Sequence, residues 1–229
     1  MDYYSYINSL VDCIDDGIES WVADYRKNCN IEGEDKTVDD YLDSFDDVDF
    51  EEFSSYLSPN DFGLEGFFDG GAYKLCFIPA NEDFVVKFYL VDTEHSEKEI
   101  SDKSQNTSFG DIFYKVVSDE YVFDFGNNLR FTAYCQEKAK VLPEDRAKKT
   151  SYLNSWNKEV KTNSERVSSW VSSCDSSFSI AILKCYGEEI AEKLFAFLDD
   201  CHLHDFHSGN WVVDHDKVRI MDYSSLNFD

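Results

Sequence analysis

Three residues near the end of the chain have types and spacing that suit metal chemistry. Asp205 is followed five residues later by Asn210, and twelve residues after that by Asp222. The apolar run NWVV and the alternating KVRIMDY between them predict a loop, a short hairpin and a turn. This arrangement would bring three oxygen-bearing side chains to one end of a sheet. Hard cations such as Mg²⁺ prefer oxygen ligands and share them with phosphates, so the segment predicts a magnesium site.

A second group of residues, upstream, suits phosphate binding. Lys87 lies inside the β-forming run FVVKF, 14 residues past the stretch Gly70–Tyr73, which begins with Gly70 and Gly71. Glycines between two strands let backbone N–H groups approach phosphates, and a strand-borne ammonium then meets their charge. Each feature alone is common in ordinary hairpins and strands. Only their order along the chain is therefore informative.

The elements that position these residues begin near residue 62. FGLEGFFDGGAYKLCFI and DFVVKFYLV predict strands, and a helix is expected at about 93–105, with Ser96 and Glu99 spaced as a capping box. IFYKVV, EYVFDFG and LRFTAYCQEKA predict further strands, the last two joined by the turn signal GNN. Residues 145–180 predict an exposed, helix-containing insertion. IAILKCYGEEIAEKLFAFLDDCHL predicts a helix that leads into the Asp205 loop.

The first 60 residues form a strongly acidic region, with 17 acidic and 3 basic side chains. Apolar residues recur there at helical spacing, which predicts an amphipathic helix, and Thr37 is the candidate N-cap of a second one. We expect these helices to dock on the rest of the chain. A partner-binding role is the alternative. The apolar stripe of the first helix consists of Ile7, Val11, Ile14, Ile18 and Val22.

The composition restricts the class of protein. A formal net charge of −26 argues against direct nucleic-acid binding, which needs clustered Lys and Arg, and favours attraction to basic proteins. Nothing in the sequence resembles a signal peptide or a membrane-spanning run. The seven cysteines contain no C-x-x-C pair and indicate reduced thiols. The sequence thus predicts a cytoplasmic protein without membrane attachment.

Taken in order, these motifs resemble a protein kinase, and most closely the early serine/threonine protein kinases of short-tailed lytic phages. FFDGGAYKLCF and VVKFYL match the glycine loop and lysine strand, LHDFHSGNWVV the catalytic loop, and IMDYSS the segment that carries D-F-G. The resemblance covers roughly residues 62–140 and 180–226. It implies an α+β, bilobal kinase-like fold with an antiparallel N-lobe sheet and a reduced, mostly helical C-lobe. The implied divisions are 1–60 (acidic helical extension), 61–139 (N-lobe) and 140–229 (truncated C-lobe).

The resemblance also implies the cofactors, ATP and Mg²⁺, and a role for each matching residue. Lys87 would bind the α- and β-phosphates, and Asp205 would position the substrate hydroxyl and accept its proton. Asn210 and Asp222 would hold Mg²⁺, and His207 could reach a phosphate oxygen. Glu97 is the expected partner of Lys87, with Glu94 and Glu99 as alternatives. The implied cofactor-binding set is Gly70, Gly71, Lys87, Glu97 and Glu137.

The chain departs from the kinase pattern at several positions. Leu203 replaces the usual histidine, and D-Y-S replaces D-F-G. Only seven residues follow Asp222, without an activation segment or A-P-E motif. We therefore expect that the acidic helices complete the lower lobe, or that substrates are recognised differently. The resemblance implies host transcription or translation proteins as substrates, and Ser224 and Ser225 are expected autophosphorylation sites.

Three alternatives remain open from the sequence. The D-x-H-x-G-N pattern also resembles aminoglycoside and choline kinases, which phosphorylate small molecules. HLHDFH, with His202, His204 and His207, suggests a zinc site, although the order of its residues differs from that in metallo-β-lactamases. A kinase-like fold could also serve only binding, with the acidic surface inhibiting a host DNA-binding or defence protein.

Overall fold

The chain forms two compact units in a computed structural model. The first unit comprises Met1–Val91 and Val117–Glu137, and the second comprises Asp92–Val116 and Lys138–Asp229. Within them, the structure describes residues 2–28, 50–71, 74–90, 93–125, 130–159, 176–203, 206–223 and 225–226. In these described ranges, no helix is long and apolar enough to cross a membrane.

A five-stranded antiparallel sheet is the centre of the first unit. Its strands are β1 (Gly66–Gly70), β2 (Lys74–Pro79), β3 (Phe84–Leu90), β5 (Tyr121–Asp124) and β6 (Arg130–Glu137). They lie in the order β1-β2-β3-β6-β5, so β6 lies between β3 and β5. The predicted antiparallel sheet is confirmed.

The predicted N-terminal amphipathic helix is confirmed as α1 (Tyr3–Asn28) and covers one face of this sheet. Ile7 and Ile14 on its apolar stripe are fully buried and share a core with Phe77 and Phe88 of the sheet. The acidic residues lie on the other side of the helix, where water solvates them. Of the two alternatives left open by the sequence, the one in which the acidic helices complete the lower lobe is therefore not supported for α1, which packs in the first unit.

A short connection leads from the acidic region to the sheet. It contains α2 (Phe50–Phe53) and two 3₁₀ turns, Ser54–Tyr56 and Pro59–Phe62. Phe50 and Phe53 are both buried in the core that α1 covers. The proposed N-cap of a second long helix, Thr37, lies outside the described residues.

The second unit is mostly helical and carries two small β-ribbons. Its apolar core joins Ile100 and Phe113 to residues of all the later helices. The helices are α3 (Glu97–Gln105), α4 (Pro143–Glu159), α5 (Ser176–Tyr186) and α6 (Glu188–Asp200). The strands are β4 (Thr93–His95), β7 (Trp211–Asp214), β8 (Lys217–Ile220) and β9 (Ser225–Leu226). Strand β7 pairs with β8, and β4 pairs with β9.

Two local predictions in this unit need correction. IFYKVV is not a strand: its backbone N–H groups donate to separate segments, Tyr114 to Ile220 and Val116 to the Ser101 hydroxyl. The single helix expected after residue 180 is two helices, because Gly187 separates α5 from α6 with a φ of 81°. Glycine adopts this left-handed conformation at little cost.

The two units also differ from the divisions expected from the sequence. The described parts of the expected extension 1–60 do not stand apart, since α1 and α2 share the core of the sheet. Residues 92–116 interrupt the expected N-lobe segment 61–139 and belong to the second unit. The reason is that Ile100, Phe109 and Ile112 bury their side chains in the second core.

Candidate functional site

Asn210 and Asp222 lie at the open end of one hairpin in the second unit. Trp211 of β7 pairs with Ile220 of β8. Beyond this pair, the Asn210 carbonyl accepts hydrogen bonds from the N–H groups of Met221 at 2.9 Å and Asp222 at 3.3 Å. Both residues are half-buried. The hairpin therefore brings together the backbones of an asparagine and an aspartate that are twelve residues apart.

The opposite end of this hairpin is a tight turn that Asp145 holds. His215 and Asp216 adopt positive φ angles of 47° and 66°. Two-residue turns that join the strands of a hairpin commonly require such angles. The carboxylate of Asp145, which is 2% exposed, accepts hydrogen bonds from the N–H groups of both residues and of Leu142. Sequence reasoning missed Asp145 because it lies in a polar stretch predicted to be exposed.

Glu97 is a fully buried acid at the start of α3. Its Oε1 accepts a hydrogen bond from the backbone N–H of Tyr223 at 3.2 Å. The helix begins with the predicted cap, since the Ser96 hydroxyl accepts from the N–H of Glu99. Glu99 itself forms a surface ion pair with Lys103. Burial thus distinguishes Glu97 from Glu99, and the side chain of Glu94 lies outside the described residues.

Tyr223 anchors the segment that carries Asp222. Its hydroxyl donates to the carbonyl of Tyr114 at 2.5 Å, and its ring meets that of Phe113 edge-on at 5.1 Å. Two residues further, β9 pairs with β4, the strand that immediately precedes α3. Side-chain and backbone bonds therefore tie the segment to helix α3 on both sides of residue 224.

The Tyr114 side chain also belongs to a polar cluster with residues of the hairpin, in which Tyr114 and Asp214 are buried and His215 is exposed. Its hydroxyl donates to Asp214 Oδ2 at 2.7 Å, and the Arg219 guanidinium lies 3.8 Å from its ring centre. Asp214 Oδ1 lies 2.6 Å from His215 Nδ1. Burial alone would raise the pKa of Asp214, but the Tyr114, His215 and Arg219 contacts outweigh it and lower the pKa. The cluster stabilises the hairpin on its buried side.

Buried residues lie on both sides of the loop that is expected to carry the catalytic base. Leu203 is 2% exposed and its N–H donates to Leu198 at 2.8 Å. Phe206 is 1% exposed and stacks on Phe178 with ring centres 4.8 Å apart. Asp205 and its neighbour His204 lie between these anchors but outside the described residues.

His207 follows this loop with its ring exposed. Its Nδ1 accepts a hydrogen bond from the N–H of Gly209 at 2.9 Å, and its carbonyl accepts from Asn210 at 3.0 Å. Both bonds lie within the turn. They shape the turn that leads into Asn210.

Lys87 occupies the middle of β3 in the first unit and is 7% exposed. Its neighbours Val86 and Phe88 point into the core that α1 covers, so alternation directs Lys87 to the opposite face. There its register partners are Cys76 on β2 and Tyr134 on β6. Glu137, at the end of β6, is half-buried and pairs with Phe84.

The glycine pair lies at the end of the β1–β2 hairpin. The N–H of Gly71 donates to the Lys74 carbonyl at 2.8 Å and closes the turn, while the tip, residues 72–73, lies outside the described ranges. A Cβ on Gly70 would overlap the backbone carbonyl of Phe50, whereas a Cβ on Gly71 would meet no atom closer than 3.8 Å. The packing against α2 alone is therefore enough to require glycine at position 70.

Comparisons of the chain with protein-family models, with curated proteins and with solved structures gave no match.

Proposed function

We propose that this chain is an ATP- and Mg²⁺-dependent serine/threonine protein kinase. The observation that carries the proposal is the meeting of three residues around the segment 221–223. Asn210 binds the backbone of this segment, Asp222 belongs to it, and Glu97 accepts the N–H of Tyr223 although 126 residues separate the two. In protein kinases, a helix glutamate, a catalytic-loop asparagine and a following aspartate work together in the same order along the chain.

The position of Lys87 supports the same function. In protein kinases the phosphate-binding lysine lies on the third strand, after a glycine loop between the first two, and works with the glutamate on the next helix. Here Lys87 lies on β3, Gly70 and Gly71 end the β1 side of the first hairpin, and Glu97 opens the next helix. The glycine pair, the strand lysine and the helix glutamate thus follow one another along the chain in the order found in protein kinases.

The ligands at the hairpin end fit a magnesium ion. The side chains of Asn210 and Asp222 offer amide and carboxylate oxygens, which Mg²⁺ prefers, and Mg²⁺ held by few protein groups commonly takes phosphate oxygens as further ligands. Bound Mg²⁺ would neutralise charge on the transferred phosphate. To Asp205 we assign the orientation and deprotonation of the substrate hydroxyl.

The resemblance and the net charge suggest the substrates. Attraction between an acidic surface and basic proteins raises the rate of encounter, and the chain carries a net charge of −26. We propose host proteins of transcription or translation as targets in the bacterial cytoplasm, with the chain acting as a phage early protein. Autophosphorylation is expected as a side reaction.

Phosphate transfer from labelled ATP tests the proposal. The purified chain is incubated with Mg²⁺, γ-labelled ATP and either a bacterial lysate or a basic, serine-containing model protein. We expect labelled protein, and a rate about 10²–10⁴ lower for Asp205→Asn, because the base is lost. Lys87→Met and Asp222→Asn should also lose activity. Glu99→Gln, an exposed change on the Glu97 helix, is the matched control and should retain activity.

Other outcomes identify other functions. Consumption of ATP only after an aminoglycoside or choline is added would indicate a small-molecule kinase. A biological effect that persists in both Lys87→Met and Asp205→Asn would indicate a binding protein. Absence of transfer to any acceptor by the folded wild-type chain would overturn the proposal.

A further inference from the structure

Lys149 contacts the loop that presents Asn210. This lysine lies in α4, and its Nζ donates to the carbonyl oxygens of Ser208 and Trp211, at 2.5 Å in each case. These two carbonyls bracket the residues Gly209 and Asn210. One ammonium therefore holds both ends of a four-residue segment whose interior carries a proposed magnesium ligand.

The indole of Trp211 gives Lys149 a third contact. The Nζ lies 4.7 Å from the ring centre, a distance at which a cation is attracted to the face of the ring. Trp211 is fully buried, and in the described part of the chain its Nε1 has no hydrogen-bond partner. Packing and the ammonium, rather than a hydrogen bond from the indole, therefore fix the ring that follows Asn210.

Keeping an ammonium at this place is costly. Burial lowers the pKa of Lys149, which means that the fold disfavours the charged form. Among the described residues, Lys149 forms no ion pair that would offset this cost. The contacts that the charged form does make are the hydrogen bonds to the Ser208 and Trp211 carbonyls and the approach to the indole face.

We propose that Lys149 is a positioning residue that fixes the segment 208–211 and thereby sets the orientation of Asn210 toward Mg²⁺. This inference rests on the proposed kinase function for its metal. The holding of the loop is a separate statement about the chain itself. Residues that orient metal ligands typically change metal affinity or activity by about 10–100-fold when they are lost.

The neighbouring Lys148 provides a matched control. It lies on the same helix and contacts the same hairpin, but its Nζ binds Asp216 at the turn, 2.8 Å from Oδ1. Removing Lys148 takes away the same charge from the same helix and hairpin without touching the Asn210 loop.

Amide hydrogen exchange measured by NMR tests the loop. The N–H groups of Gly209 and Asn210 donate to His207, so exchange at these positions reports opening of the turn. Lys149→Met should accelerate their exchange about tenfold or more, a change that corresponds to about 1.4 kcal/mol. Lys148→Met should leave it unchanged. Lys149→Arg should restore slow exchange, because a guanidinium can also donate to two carbonyls.

The Mg²⁺ dependence of ATP binding tests the consequence for the metal. Lys149→Met should raise the Mg²⁺ concentration needed for half-maximal binding by about 10–100-fold, and Lys149→Arg should raise it less. If Lys149→Met exchanges like Lys148→Met at Gly209 and Asn210, the inference is overturned. It is also overturned if exchange accelerates but the Mg²⁺ dependence stays that of the wild type.

If Lys149→Met does not fold, Lys149→Gln takes its place in both measurements, and Lys149→Arg remains the variant that should restore slow exchange. Wild-type protein that binds no Mg²⁺ and ATP would refute the proposed function. The exchange rates would still decide whether Lys149 holds the loop.

Discussion

The carboxylate of Glu97 accepts a hydrogen bond from the backbone N–H of Tyr223, with 3.2 Å between Oε1 and N, across 126 residues of sequence. Glu97 is fully buried at the start of α3, and Tyr223 is 2% exposed directly after Asp222. A buried carboxylate needs donors, and a buried N–H needs an acceptor. Each group thus satisfies the other, and the bond ties helix α3 to the segment that carries a proposed metal ligand.

Replacing Glu97 by alanine should destabilise the second unit. The change leaves the N–H of Tyr223 without this acceptor, which typically costs about 1–3 kcal/mol. Glu99→Ala removes only a surface ion pair with Lys103 and should change stability by less than about 0.5 kcal/mol. Urea unfolding of the two variants, made on the same helix, measures the difference. Equal losses would show that the buried bond contributes nothing.

Glu97→Gln separates stability from activity. The amide oxygen can still accept from Tyr223, so we expect a fold close to that of the wild type. The loss of charge should lower kcat/KM for ATP by about tenfold or more if Glu97 serves the nucleotide. Glu99→Gln should behave like the wild type. A fully active Glu97→Gln variant would restrict Glu97 to a structural role.

Alanine should be tolerated at Gly71 and not at Gly70. At position 70 a Cβ would overlap the carbonyl of Phe50, and such overpacking typically costs about 1–3 kcal/mol. At position 71 a Cβ would lie 3.8 Å from the Lys74 carbonyl oxygen, and we expect a change within about 0.5 kcal/mol. Thermal unfolding compares the two. A Gly70→Ala protein as stable as the wild type would contradict the close contact with Phe50.

Truncation of Ile14 should destabilise the first unit strongly. Ile14 is fully buried between α1 and the sheet, and large-to-small changes in a core cost about 2–5 kcal/mol. Asn8→Ala, an exposed change on the same helix, should cost less than about 0.5 kcal/mol. Denaturant unfolding followed by circular dichroism measures both. An Ile14→Ala loss as small as that of Asn8→Ala would mean that α1 is not part of the core.

Because of Asp145, the stability of the protein should depend on pH in the acidic range. Burial alone would raise the pKa of its carboxyl, but the N–H groups of Asp216, Leu142 and His215 outweigh it and hold the pKa below the usual value. The unfolded chain then binds the proton more tightly. The stabilisation is therefore full above the unfolded pKa of about 3.9 and is lost as the pH falls through the lower folded value.

Asp145→Asn checks this pH dependence. The variant cannot lose a proton at this position, so its Tm should be lower at neutral pH and should fall less than that of the wild type between pH 5 and about pH 2. Differential scanning calorimetry across this range gives both curves. Parallel curves would show that the Asp145 bonds to the turn do not depend on its charge.

Local features of this chain could be predicted from the sequence where a short-range rule governs them. The spacing of Ile7, Ile14 and Ile18 predicts α1 because a helix repeats every 3.6 residues. The spacing of Ser96 and Glu99 predicts the start of α3, because a hydroxyl three residues before an N–H can cap it. The apolar runs around Asn210 and Asp222 predict the hairpin that joins these two residues.

Other features depended on groups that only the folded chain brings together. The face that α1 covers could not be predicted, because an apolar stripe fits any apolar surface of similar width. Asp145 has an unremarkable sequence context, and its role exists only because residues 215 and 216 lie 70 and 71 positions further along. IFYKVV has the composition of a strand, but its N–H groups found several different acceptors.

The sequence by itself determined which residues have the chemistry of phosphate and metal binding, since residue type and order are fixed there. The tertiary structure decided that Glu97 rather than Glu99 is buried, and that Glu97 meets the segment of Asp222. It also placed Lys149 against the Asn210 loop. Burial and long-range hydrogen bonds are properties of packed elements, and no spacing rule along one strand or helix encodes them.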